Sequence, residues 1–215
     1  MLYCDCPLGA ALPDIPAVTC PENFGQIQKV VFQRLMGKTA ENSITIATAK
    51  TLGTWTALLA AKDATKMVVS PYIYEPTVEA GEALTYGGGN ATPGGVVEIL
   101  GSNSTPFTGK LLKTPQAVIK VLKQFMCEVT GGLGVYLING NGQIAAIKDG
   151  DNYKPIPVES LFVGDRTIGG LEAPDSNVIS WSFKPNWSDN LEIFKPDFNP
   201  LTQLVPAPAS GGVGG

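Results

Sequence analysis

Four cysteines, a carboxylate-rich turn and three tryptophans are the side chains of this 215-residue chain whose chemistry could amount to a site. Cys4, Cys6 and Cys20 stand near its beginning and Cys127 far from them. Structural zinc calls for thiolate pairs two to four residues apart, and Cys4-Asp5-Cys6 is too tight. A four-thiolate set would also have to recruit Cys127 from a predicted helix, so inert thiols are the expectation. Asp149-Gly150-Asp151-Asn152 lacks the later glycine and glutamate of a calcium loop and reads as a turn between strands. A glycosidase needs two acids at a set separation, and nothing among the 19 acids singles out a pair.

Phosphate-binding loops fail on spacing. GSNSTPFTGKL puts too many residues between Gly101 and Gly109-Lys110, and Leu111 stands where a hydroxyl is required. The run Gly87-Gly88-Gly89 does not lead into a helix start. A sugar-stacking platform would use the tryptophans. Trp55 belongs to a helical stripe, however, and Trp181 shares a predicted buried face with Ile179 and Phe183, which leaves only Trp187 in a loop-like setting.

The chain has no histidine. That removes the commonest general base and metal ligand, and with it Ser-His and Cys-His nucleophile pairs and histidine-ligated metals. The expectation is therefore a non-enzyme with no catalytic residue, no metal site and no cofactor.

Composition points elsewhere. Charged residues make up 16% of the chain, against roughly 25% in ordinary soluble domains. Mean hydropathy is +0.11, yet no apolar run approaches the ~18 residues of a membrane span. Apolar, weakly charged surface of this kind is expected to be buried between copies. The formal charge of −4 argues against a phosphate-gripping nucleic-acid binder, which needs a basic face. Charge is also segregated. Pro71–Gly109 holds Glu75, Glu79, Glu82 and Glu98 without a base, and Lys110–Cys127 holds Lys110, Lys113, Lys120 and Lys123 without an acid. The blocks could meet within one chain or between copies.

The elements that must position these residues are mostly strands. Residues 1–25 carry Pro7, Pro13, Pro16 and Pro21 and read as an extended arm. Strands are predicted at Gln28–Leu35, Ser43–Ala47, Lys66–Tyr74 (an edge or bulge, because of Pro71), Val96–Leu100, Gly134–Ile138, Gln143–Ile147, Pro157–Val163 and Val178–Phe183, with a short extended piece at Phe107. Helices are predicted at Thr51–Ala61 and at Pro115–Val129. The second would have Thr114 as N-cap and a stripe of Val118, Val121, Leu122, Phe125 and Val129. Glu79–Gly95, with Gly81, Gly87–Gly89 and Gly94-Gly95, reads as a long mobile loop or a loose hairpin tip. The fold class is mainly β: a sandwich or barrel of about eight strands with one well-formed flanking helix and a second, shorter one. One domain spans 26–200, and 201–215 read as a flexible tail. No secretory signal is visible at the start, so synthesis in the cytoplasm is expected.

The whole chain also resembles a family. GVYLINGNGQIAAI, YKPIPVESLFVGD and NVISWSFKPNWSDNLEIFKPDFNPL, with CDCP and CPENFGQIQKVVFQRL before them, resemble virion structural proteins of phages of Bacteroides-type bacteria. The order of strands, one good helix and a long loop is similar to phage tail tube (major tail) proteins. That resemblance implies homohexameric rings stacked through loops and terminal arms, contacts with other virion proteins, and a lumen that passes DNA without specific binding. The virion tail would then be its place. A capsid decoration or head-fibre protein and a carbohydrate-binding β-sandwich are the alternatives.

Overall fold

A computed structural model describes residues 14–18 and 22–205. With 42% strand and 19% helix it is mainly β, as expected. In chain order the elements are β1 (Ile27–Arg34), β2 (Ile44–Thr45), α1 (Ile46–Ala49), α2 (Leu52–Ala60), β3 (Met67–Val69), β4 (Tyr74–Val78), β5 (Ala83–Gly87) and β6 (Val97–Ser102). They continue with β7 (Thr105–Leu112), α3 (Gln116–Glu128), β8 (Leu133–Asn139), β9 (Ile144–Asp149), β10 (Asn152–Lys154), β11 (Ile156–Thr167), β12 (Ser176–Phe183), β13 (Leu191–Phe194) and α4 (Pro200–Gln203).

Antiparallel pairing carries the sheet from β1 to β8, β11, β12, β7 and β4. The segment Met67–Val78 then closes it into a ring, because β3 pairs with β1 while β4 pairs with β7. Between them the chain stays on β1: Ser70 N donates to Val30 O and Ile73 N to Gln28 O, both at 2.8 Å. Pro71 sits between these two bonds, at a position that needs no ladder N–H, and the segment changes partners only after Ile73. A closed ring has no open edge to manage. Its closure is tight at Gly109, where a Cβ would come within 2.4 Å of Ile73 Cγ2.

Every residue of β8 is buried, because apolar cores lie on both its faces. Leu133, Val135 and Leu137 enter the first core with Val30, Phe32 and the α3 residues Ile119 and Leu122. There Trp181 stacks on Phe107 at 3.8 Å and meets Phe32 and Phe183 edge-on. Tyr136 and Ile138 enter a second core with Val31, Trp55 and Tyr153. This one lies under a smaller run of strands, in which β9 is flanked by β10 and β13 and β10 by β2. Trp55 meets Tyr136 edge-on at 5.3 Å, and its Nε1 donates to Ala49 O at 2.8 Å.

Several expectations are corrected. The strand predicted at Ser43–Ala47 is two residues long and turns into α1. The extended piece at Phe107 is the full eight-residue β7. Short β10 and β13 were not expected from the sequence. Pro115, not Thr114, occupies the cap position of α3; the Thr114 hydroxyl donates backwards to Leu112 O. The helix stripe includes buried Ile119, whereas Val121 is exposed. Beyond residue 200 the packed body continues, since α4 brings Leu204 into the second core with no exposed surface.

Candidate assembly surface

The residues singled out for chemistry do not converge. Cys127 is exposed and free, while Cys4, Cys6 and Cys20 lie outside the described residues. Asp149–Asn152 is the β9–β10 turn, and Asp149 is ion-paired with Lys154, which also meets Glu41. Trp55 and Trp181 are core residues, and Trp187 stacks inward on Phe183 at 4.5 Å rather than offering a platform. Among the described residues no group of three His, Cys, Asp or Glu could hold a metal ion. Nor is any helix among them long and apolar enough to cross a membrane. A hollow of about 170 Å³ beside β1 is lined by Phe32, Phe125 and Leu133 with Arg34 and Glu128. Those two bind each other through two hydrogen bonds of 2.8 Å, which hold the Glu128 carboxyl below its ordinary pKa and satisfy both groups.

What the surface offers is a hairpin. The stretch Glu79–Gly95, expected as a mobile loop or loose hairpin tip, holds β5 and a glycine-rich tip, and β5 is hydrogen-bonded to β6, the strand predicted at Val96–Leu100, in a sheet separate from the main one. The tip is tied by its own bonds: Ala91 N donates to Gly88 O at 3.1 Å and Gly95 N to Thr92 O at 3.0 Å, and the Thr92 hydroxyl donates to Val96 O. Gly87 opens it at φ +101°, where a Cβ would sit 2.7 Å from Val96 O. The base is held by Asn103 N donating to Glu82 O at 2.8 Å and Glu79 N to Pro106 O at 3.2 Å.

Register decides what each face shows. Thr85 pairs with Ile99 and Gly87 with Val97, so Val97 and Ile99 share one face; Tyr86 pairs with Glu98, so Tyr86 and Leu84 share the other. Leu84, Tyr86, Val96, Val97, Ile99 and Leu100 are all between 46% and 60% exposed. A two-stranded hairpin by itself is marginal in water, and one that is apolar on both faces lacks the polar face a solvated ribbon needs. Sequence reading found the glycines but not this. The alternation in Leu84-Thr85-Tyr86 and Val97-Glu98-Ile99 was the available signal.

The charge blocks are only partly reconciled within the chain. Lys110 reaches Glu75 at 2.5 Å and Lys123 is bonded to Asp165. Among the described residues Glu79, Glu82, Glu98, Lys113 and Lys120 have no ion-pair partner. Elsewhere the buried Lys29 has a pKa lowered by desolvation; its Nζ donates to Leu201 O at 2.6 Å and lies 4.3 Å from the Tyr72 ring centroid.

No family model and no curated protein matches the chain. Among solved structures, a chain of the anti-feeding prophage baseplate, determined by cryo-electron microscopy with six-fold symmetry, is similar over 86% of this chain and 100% of that one. Sequence identity is 8% and the TM-score 0.33, a similarity too low to argue from.

Proposed function

We propose that the protein is a phage virion structural protein whose copies join into hexameric rings, stacked as a tail tube through which DNA passes. The observation that supports this reading is the hairpin: a ribbon apolar on both faces, projecting from a closed body that needs nothing from it. Such a ribbon becomes stable when a neighbour covers it. A hairpin leaving one place on the body and seating on a different place of the next copy makes a head-to-tail contact, which propagates as a ring or a filament. The formal charge of −4 suits a conduit that should not hold phosphates. In this reading the terminal arms outside the described body add contacts between rings and to other virion proteins.

The test is direct. Purified protein at rising concentration is followed by light scattering and by negative-stain microscopy, with stacked rings or tubes expected. A monomer that persists throughout the micromolar range, without rings or tubes, would overturn the reading. Discrete trimers would favour a shell decoration protein instead.

A further inference from the structure

We infer that a neighbouring copy receives the hairpin at the opposite end of its body, on the exposed face of α3 and the turn before it, where Lys113 and Lys120 face the hairpin's unpaired glutamates. This rests on the self-assembly reading and adds to it the receiving surface and the chemistry of the contact. Glu79 and Glu82 stand at the hairpin base and Glu98 on β6, all exposed and without an ion-pair partner among the described residues. Strand β7 leaves that base at Thr105 and delivers the chain to Lys113 after Leu112. Eight residues of strand separate the two ends by about 24 Å at ~3.4 Å per residue. That exceeds any side-chain reach, so Glu79 and Glu82 at the base cannot pair with Lys113 within one copy, and Glu98 has no ion-pair partner among the described residues either.

The receiving face suits the ribbon in polarity and in sign. Lys120 and Val121 are both exposed on α3, beside exposed Ala117 and Gln124, and α3 itself carries no acid before Glu128. Acids do occur nearby on β11 and in the loop after it. Asp165 is bonded to Lys123, Asp175 faces Arg166 at 3.9 Å, and Glu172 has no ion-pair partner among the described residues. Lys113 and Lys120 therefore stay free to meet Glu82 and Glu98 of the neighbour, while Val121 covers part of the Leu84–Tyr86 face. The charges fix which end meets which, and the apolar contact supplies the adhesion.

Two charge-reversed proteins test the pairing: Glu82→Lys with Glu98→Lys, and Lys113→Glu with Lys120→Glu. Each alone places like charges in every contact, and the concentration needed for assembly at low salt should rise by about tenfold or more. Mixed in equal amounts they should assemble again, because alternating copies restore opposite charges at every junction. Circular dichroism and melting establish that both fold. Should a reversed protein not fold, the neutral versions (Glu82→Gln with Glu98→Gln, Lys113→Gln with Lys120→Gln) should each weaken assembly and flatten its salt dependence. If wild type assembles while a folded variant still assembles normally, or the mixture does not recover, the receiving surface is wrong and self-assembly stands. If wild type does not assemble, the reading beneath it fails instead.

Discussion

The ring of strands and the hairpin are built from similar residues on opposite terms. Strand β8 and hairpin strand β6 are both runs of apolar residues, yet every side chain of β8 is buried and β6 is exposed or half-exposed throughout. β8 has strands on both edges and a core on each face. β6 has one partner strand and solvent on both faces. The body thus gains its stability within one chain, whereas the hairpin can gain it only from another molecule. Substitutions in the body should therefore be read in melting, and substitutions in the hairpin in assembly alone.

The largest effect on stability is expected at Trp181, which is 2% exposed and touches three aromatic rings. Trp181→Ala should cost about 3–5 kcal/mol and lower Tm by roughly 10 °C, read by chemical and thermal denaturation. A loss below about 1 kcal/mol would mean that the first core does not hold the ring together. Next comes Gly109→Val, which drives a Cβ to 2.4 Å from Ile73 Cγ2 at the closure of the ring. About 1–3 kcal/mol of destabilisation is expected. No change would show that β4 yields freely and the ring is not tightly closed there.

Legibility in the sequence follows the same division. Strands buried on one or both faces announced themselves by composition: VVF in β1, GVYLI in β8 and NVISWSF in β12 were all readable. The turn at Asn139–Gly142 was too, because its residue types leave few alternatives. Failures came where tertiary contacts overrode local pattern. β7 carries Pro106, Thr108 and Lys110 on its outer positions and Thr105 and Gly109 on its buried face, and its eight-residue pairing with β12 makes it a full strand. β10 and β13 are short segments ordered by β9. Ile119 and Val121 exchanged roles because Ile119-Leu122-Met126 has the same helical spacing as Val118-Val121-Phe125, and the first core takes the face that holds Ile119. The assembly surface was half visible. Glycine density marked Glu79–Gly95 as unusual, but glycine favours a loop reading and hides that β5 begins inside it.

A smaller effect sharpens the comparison from the body side. Glu192 on β13 accepts from Lys148 at 2.7 Å and from the Tyr153 hydroxyl at 2.6 Å, and these bonds hold its carboxyl below the ordinary value. A carboxyl whose folded pKa is depressed adds stability above its unfolded pKa, and that stability is lost as pH falls through the folded one. Lys148 is half exposed, so screening limits the contribution to about 0.5 kcal/mol. Glu192→Gln should cost that much at neutral pH, and the difference from wild type should vanish in acid, where both side chains are neutral. A penalty that stayed constant with pH would assign the effect to packing rather than charge.

The smallest effect on stability is expected from the largest change. Excising Ala83–Ser102 and joining Glu82 to Asn103 through an Asn-Gly turn removes the whole ribbon, yet the ends to be joined already exchange a hydrogen bond of 2.8 Å. None of the removed side chains belongs to either core. Shortening the connection changes loop-closure entropy only slowly, so denaturation should shift by no more than about 0.5 kcal/mol. Assembly, which in this account depends on the ribbon finding a neighbour, should disappear from scattering and microscopy at concentrations where wild type polymerises. A marked fall in Tm would make the hairpin part of the folded body. Normal polymerisation by a stable deletion variant would make it a spacer, and the adhesive surface would then have to be sought on the outer face of the ring.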